Sequence, residues 1–452
     1  MIPASSVIEK IVLKKITPSK QEKKQIEQVI KELKNRVTIE IKKTTIPITT
    51  ELVGSTAKDT YISSSVDIDL FLVFPSDTPR EILQEKGLAI GRAVLEQQEE
   101  CFAEHPYVRG IYQGYKTELV PCYRIQTAHQ KLSAVDRTPL HTRYVKNHLK
   151  ESQKKEVRLI KQFLKGIGCY GAEAEIEGFS GYLCEILILK YGTFQGLLEH
   201  AQQWIYGEQL ALQQDTYPKF TTPLIFIDPV DEERNVASAL SKEKFELFIT
   251  ACHDYIKKPR LTFFFPITPT PWPLEKIIKN LGRKELIGII LPKPEIISEN
   301  LYPQIRKAAR AVQELCERHD FIILDTAYHV NTKNVLIILQ PKTQKLTQQI
   351  QHTGPPTNLK KNADEFIHKW ATHPRTRKKP YEKDKRLYVE IDREYTDIKM
   401  LLKEQVGTLS LGKNIDDMIS KGFLVLDKKR LLLDKYRLFW TMYLDQKKPW
   451  ER

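Results

Sequence analysis

Apolar residues recur at helical spacing over residues 5–15 and 20–36, and Thr17-Pro18-Ser19 between them supplies turn and cap chemistry. This predicts two helices ahead of the first strand. At Asp67 the period changes to two: Asp67 and Asp69 point one way, Ile68 and Leu70 the other, and the apolar run through Phe74 stops at Pro75. A helical pattern is predicted from 79 to 101. Two strand-like runs follow, 107–112 and 116–123, joined by Gln113-Gly114 as a hairpin turn, and this hairpin is expected beside the Asp67 strand.

Past residue 150 the pattern becomes mostly helical, with helices predicted over 154–166, 180–191, 193–204 and 235–257. The run Leu261-Thr-Phe-Phe-Phe then meets Pro266, Pro269, Pro271 and Pro273, a linker-like cluster that cannot continue a helix. The remaining third mixes strands (286–291, 321–324, 335–340, 387–391) with helices (303–318, 363–370, 395–404). Its charged segment 375–386 lacks apolar periodicity and is expected to be an exposed, mobile loop. The expected organisation is multidomain α+β: 1–150, 151–258 (helical) and 259–452 (α+β), with no internal repeat.

At 452 residues the chain exceeds what one hydrophobic core usually sustains. Its 71 Lys+Arg against 57 Asp+Glu leave +14, which favours a polyanionic partner, nucleic acid ahead of an anionic membrane. The six cysteines show no CxxC and no metal-ligand spacing, and read as reduced intracellular thiols. Charged residues interrupt the apolar N-terminus, unlike a signal peptide, and nothing approaches the roughly 20 apolar residues that span a bilayer. A soluble, cytoplasmic protein without a membrane segment is expected.

The candidate chemistry lies first between Leu52 and Phe74. Gly54-Ser55 is a small-residue turn of the kind that lets backbone N–H groups approach phosphate, and Asp67 and Asp69 project together from the strand that follows. A DxD pair alone is common on solvated strands. Glu118, on the strand predicted alongside, makes a third acid, and converging carboxylates repel one another unless cations sit among them, which points to a metal site and to Mg²⁺. His141 falls in the first turn of a predicted helix, with Thr138 read as N-cap and Pro139 as first helical residue. On its own it reads as a surface histidine. Lys154, Arg158, Lys161 and Lys165 form one stripe of a helix whose other face carries Val157, Ile160, Leu164 and Ile167; alone, the stripe reads as a solvated basic face, and Tyr170 just beyond it as core. Arg234 is placed near the start of a helix after Asp231, and His105 is read as structural.

The stretches LVGSTAKDTY, SVDIDLFLVFP, AEHPYVRG, ELVPCY, AVDRTPLHTRYV, EVRLIKQFLKGIGCYGAE, GFSGYLCEILILKYG and FIDPVDEERNVASAL carry a resemblance in order and spacing over residues 5–258. The chain resembles the class I, archaeal-type CCA-adding enzymes, tRNA nucleotidyltransferases of the polymerase-β-like superfamily. The resemblance implies a polymerase-β-like catalytic head, a helical central domain and an α+β body and tail. It implies template-independent addition of C, C and A to the tRNA 3′ end from CTP and ATP, with two Mg²⁺ ions and release of pyrophosphate, and it allows a homodimer. By position, Asp67, Asp69 and Glu118 fall on the metal carboxylates, the third usually Asp in the family. Ser55, Lys58 (often Arg in the family), His141, Lys161 and Tyr170 fall on triphosphate-binding positions, and Arg234 on the residue that reads the incoming base. The acceptor stem and T-arm of tRNA are the implied partners of the helical and C-terminal parts. A poly(A) polymerase or oligoadenylate-synthetase-like transferase shares the GS and DxD elements, and a catalytically inactive RNA-binding protein is the competing reading from another class.

Overall fold

The computed structural model describes residues 4–63, 65–102, 104–213 and 219–452. It divides into two compact units, residues 1–268 with 447–452, and residues 269–446.

In the first unit, α1 (Ala4–Ile16) and α2 (Lys20–Ile41) form where the apolar spacing predicts them, and the Ser19 hydroxyl caps α2 by accepting from Glu22 N at 3.1 Å. Then come β1 (Thr49–Val53), α3 (Gly54–Lys58), β2 (Asp67–Phe74), α4 (Arg80–Val94), β3 (Glu96–Phe102), β4 (Pro106–Tyr112) and β5 (Tyr115–Tyr123). The five strands form one sheet in the order β1-β2-β5-β4-β3. Ile68, Leu70, Leu72 and Phe74 pack with Val29, Leu33 and Val37 of α2 and with Leu83 and Ile90 of α4. Strand alternation therefore leaves Asp67 and Asp69 on the opposite face. As expected, β5 lies beside β2: the pair is parallel, with Asp69 opposite Glu118. Gln113 and Gly114 turn the β4–β5 hairpin with φ of +48° and +82°.

The helix predicted over 79–101 ends early, at Val94, and its last part is the edge strand β3. Charged edge residues Glu96, Glu99 and Glu100 and an irregular register around Gln97, at φ +46°, hide the period of two.

The helical part holds α5 (Arg137–His148), α6 (Glu151–Ile167), α7 (Gly181–Tyr191) and α8 (Phe194–Ala201). A small sheet follows, β6 (Glu208–Leu210), β7 (Leu224–Asp228) and β8 (Asp231–Asn235), and then α9 (Lys242–Lys257). The helix predicted from residue 235 thus starts only at Lys242, capped by Ser241. Residues before it pair as a hairpin because Asn235 binds the β7 backbone, accepting from Phe226 N at 2.9 Å and donating to Leu224 O at 3.0 Å.

Helix α6 organises this part. Val157, Ile160, Phe163, Leu164 and Ile167 are fully buried, and the Phe163 ring sits 5.5–5.8 Å from the rings of Phe194, Tyr255, Phe263 and Phe264. Trp450, near the end of the chain, stacks on Phe263 at 5.3 Å. The basic stripe of α6 is not a solvated face: Arg158 and Lys161 are 4% and 3% exposed.

In the second unit, α10 (Leu274–Leu281), β9 (Ile287–Pro292), α11 (Ser298–Arg318), β10 (Ile323–Val330) and β11 (Asn334–Pro341) precede β12 (Gln349–Pro356), α12 (Lys360–Ala371), β13 (Thr376–Lys383) and β14 (Arg386–Asp392). The unit ends with α13 (Ile398–Gln405), α14 (Lys413–Lys421), β15 (Leu424–Asp427), α15 (Lys428–Leu431) and α16 (Arg437–Asp445). The sheet β10-β11-β9-β15 is covered on both faces: Ile337 and Leu339 pack toward α11, α13 and α14, while Leu336 and Ile338 pack toward α10 and α16.

A second sheet runs β12-β14-β13. The segment expected as a mobile loop is its edge strand β13, turned into β14 through Asp384 and Lys385 at φ +51° and +59°. Only β14 buries an apolar row, Leu387, Val389 and Ile391, so β13 carries cations without alternation, and Arg377 and Lys378 pair with Asp392 and Glu390 across the ladder.

Truncating Phe163 to Ala removes the ring at the centre of this aromatic cluster. The substitution should lower stability by about 3–5 kcal/mol, read as a fall in the melting temperature of the first unit.

Candidate active site

A cleft of about 410 Å³ opens in the first unit over the outer face of β2. Gly54, Ser55, Lys58, Asp67, Asp69, Glu118, His141, Lys161, Tyr170 and Arg234 all line it, so every residue singled out from the sequence for this chemistry meets in one place.

The acidic wall is made by β2 and β5. Gly54 takes φ +71°, and a side chain there would overlap the Asp69 carboxylate, so the chain needs glycine to fold this turn against the strand. Asp69 is pushed up to about 7, by burial first and then by the Glu118 and Asp67 carboxylates, with Lys58 and Arg109 opposing. Among the described residues no three His, Cys, Asp or Glu side chains are already gathered as a metal-holding cluster. Asp67 is exposed, and Glu118 Oε1 accepts from Arg109 Nε at 2.7 Å. Arg109 lies opposite Glu118 in the β4–β5 register and also donates to the Tyr107 hydroxyl at 3.1 Å. The acidic wall thus offers oxygen donors suited to a hard divalent cation, with Arg109 as a neighbouring counter-charge.

The basic wall is made by α3 and α6. Lys58 Nζ donates to Glu185 Oε2 at 2.5 Å, and Lys161 Nζ donates to Thr60 O at 3.2 Å and Glu185 Oε1 at 3.3 Å. Asp59, at φ +52° beyond α3, anchors the same junction: Arg158 Nη2 lies 2.6 Å from Oδ1, and Lys23 Nζ 2.6 Å from Oδ2. Gly168, at φ +73°, stops α6 and brings Tyr170 back to the cleft, where it is half-buried.

At the third side Asp228, fully buried at the end of β7, joins four groups. His141 Nε2 lies at 2.8 Å from Oδ2 and Arg234 Nη1 at 2.7 Å; the Tyr182 hydroxyl donates to Oδ1 at 3.0 Å and Val230 N at 3.1 Å. Burial raises the Asp228 pKa, but the hydrogen bond and charge of His141 and then Arg234 outweigh it and hold it at about 2. This stabilisation is complete above the ordinary aspartate pKa and is lost only as pH falls through about 2. His141 is not a surface residue: it is 9% exposed and stacks on Tyr182 with ring centroids 4.1 Å apart, and burial lowers its pKa against the pull of Asp228.

Two local expectations change. Helix α5 begins at Arg137, so Thr138 and Pro139 lie inside its first turn. A preceding 3-10 turn feeds directly into it, and the Asp136 carboxylate binds Tyr123 N, Leu132 N and Ser133 N. Arg234 is on strand β8, not in a helix, and its partner is Asp228 across the hairpin. His105 is buried in the β3–β4 connection, apart from the residues lining the cleft.

Sequence reasoning left out Glu185, Asp228, Tyr182 and Arg109. Glu185 had a signal, a single carboxylate in the apolar run of α7 that needs a cationic partner when buried. Asp228 had none, since FIDP reads as the end of a strand.

Residues 24–141 match the nucleotidyltransferase domain, residues 155–265 the second domain of tRNA nucleotidyltransferases, and residues 283–428 the C-terminal domain of CCA-adding enzymes. The chain is 35% identical over 437 residues to a CCA-adding enzyme of Methanosarcina mazei, covering 95% of this chain and 96% of that protein. It is 33% identical to one of Halobacterium salinarum, covering 93% of each chain. With one of Thermoplasma acidophilum it shares 34% identity over 94% of this chain and 97% of that protein.

The raised Asp69 carboxylate gives a test by pH. Between the unfolded aspartate pKa, about 4, and about 7 the folded state keeps a proton that the unfolded chain has released, so this group's contribution to stability falls as pH rises across that window. In metal-free buffer Asp69→Asn should therefore melt above the wild type at pH 8, with the gap narrowing toward pH 4. A gap independent of pH contradicts the crowded-carboxylate picture.

Proposed function

The chain belongs to the family of CCA-adding enzymes, and we propose that this cleft is where C, C and A are joined in turn to the 3′ end of tRNA from CTP and ATP, without a nucleic-acid template. The supporting observation is similarity to CCA-adding enzymes along nearly the whole chain, including the C-terminal residues 283–428. That span favours this reading over a poly(A) polymerase, whose likeness would rest on the GS and DxD elements. In this reading residues 1–150 are the catalytic head, 151–258 the nucleotide- and tRNA-binding part, and 259–452 the tRNA-binding body and tail.

Asp67, Asp69 and Glu118 are the residues that would hold divalent cations, Mg²⁺ by the match of a hard ion to carboxylate oxygens, and the repulsion that raises Asp69 is what such a charge relieves. Bound there, the ions supply activation of the attacking 3′-hydroxyl and stabilisation of the charge on the departing pyrophosphate. Lys58 and Lys161 take oxygens of the triphosphate, with Ser55 and Tyr170 at its flanks. His141 commits Nε2 to Asp228, so its Nδ1 donates to phosphate only when the ring is protonated, a state that the phosphate charge favours. Arg234 keeps one nitrogen on Asp228 and turns its remaining donors to the edge of the incoming base. The net charge of +14 favours grip on the tRNA backbone, with affinity that weakens as salt rises. A cytoplasmic place of action belongs to the same reading.

Purified protein given Mg²⁺, CTP and ATP should extend a tRNA lacking its CCA end by C, C and A and then stop, with no addition of A until CTP has been used. A long adenosine ladder, or no extension at all, overturns this function. Asp69→Asn should abolish extension while leaving tRNA affinity within about twofold by gel shift, since the residue lies in the cleft and carries no cationic contact to RNA.

A further inference from the structure

Glu185 lies in α7, fully buried, and sits between two lysines that reach it from different elements. Its Oε2 accepts from Lys58 Nζ at 2.5 Å; its Oε1 accepts from the Thr60 hydroxyl at 2.6 Å and from Lys161 Nζ at 3.3 Å. Lys58 and Lys161 are 8% and 3% exposed, yet both border the cleft. One carboxylate against two ammonium groups leaves a surplus positive charge in a desolvated wall, and that arrangement persists only if something holds the cations in place and an anion gains from meeting them. Resting on the nucleotide-binding reading of the cleft, we propose that Glu185 is a positioning residue for the triphosphate: a buried counter-ion that keeps Lys58 and Lys161 charged and adjacent until phosphate oxygens engage them.

The chemistry supports this. Burial lowers the proton affinity of Lys161, and neighbouring Lys58 lowers it further, while Glu185 opposes both. Burial would raise the Glu185 pKa, and the two lysines outweigh it, leaving the carboxylate below its ordinary range. Without that charge two buried ammonium groups would face each other without a counter-ion, and Lys161 would lose the largest influence that supports its proton. Thr60, itself fully buried, orients the group by donating to Oε1 and by accepting from Lys161 at its own oxygens, both at 3.2 Å.

The test is equilibrium binding of ATP and of CTP to the full-length protein without tRNA, as a function of pH, for the wild type and Glu185→Gln, which keeps the size, removes the charge and leaves a single acceptor oxygen. The expected result is at least tenfold weaker binding of both nucleotides at pH 8, with the pH at which affinity is half lost moved down by one unit or more. Glu185→Asp should restore the wild-type pH profile. A variant that melts lower but binds both nucleotides with unchanged affinity and profile makes Glu185 a purely structural tie and overturns the proposal. If Glu185→Gln does not fold, Thr60→Val decides the matter, several-fold weaker nucleotide binding supporting the proposal and unchanged binding overturning it. Nucleotide binding that depends on Glu185 in a protein that fails to extend tRNA would leave this inference standing and defeat the function proposed above.

Discussion

The ammonium group of Lys161 and the ring of Phe163 belong to the same helix two residues apart, and both are buried, one in a polar cleft and the other in an aromatic core. This double duty of α6 is what the first unit is arranged around. A helix turns about 100° per residue, so positions 157, 160, 164 and 167 can face the core while 154, 158, 161 and 165 face the junction with α3. Desolvating the second face is tolerable only because each cation meets an acceptor there: Asp59 for Lys154 and Arg158, Glu185 for Lys161, and Ser65 for Lys165. The aromatic packing fixes where α6 lies, and the ion pairs fix where α3 meets it. The cleft is the gap left between them.

Within that gap, charges of opposite sign are kept on separate walls. The acidic wall stands on a sheet whose rigidity holds Asp69 against its own kind, and the basic wall stands on helices whose lysines are held by one carboxylate. Each wall holds like charges close together, and the proposed function gives each a complementary charge to meet, a cation on the acidic wall and an anion on the basic one. This is preorganisation in a physical sense: the groups are already desolvated and placed, so less reorganisation remains when the substrate binds. Asp228 extends the same logic to the third side, where one ionised carboxylate fixes His141, Tyr182 and Arg234 together.

The strand carrying Asp67 and Asp69 was legible because it combines a period of two with a fully apolar inner row, and the Gln-Gly turn spelled out the β4–β5 hairpin whose Glu118 strand lies beside it. Of the residues lining the cleft, His141, Lys161 and Tyr170 read alone as surface, solvated face and core, and resemblance gave them their roles, while Tyr182 and Glu185 of the same cleft went unread. What escaped were edge strands and hidden partners. β3 and β13 are held by backbone ladders and cross-strand charges, so their side chains carry no apolar rhythm to read. Arg234 is expected near the start of the helix that the pattern of 235–257 predicts, but Asn235 ties that segment to β7, and tertiary hydrogen bonding overrides propensity.

Glu118 shows how one methylene can matter in such a frame. On a strand the Cα positions of Asp69 and Glu118 are fixed opposite each other, so a longer side chain at 118 can swing its carboxylate sideways where a shorter one would stay over β2. Here it swings to Arg109, which the β4–β5 register places directly alongside and which Tyr107 steadies. The third acid is thereby tethered to a fixed cation at the rim. Asp69 stays on the inner side of that arrangement, where burial first, and then the Glu118 and Asp67 charges, push it up to about 7 against the pull of Lys58 and Arg109.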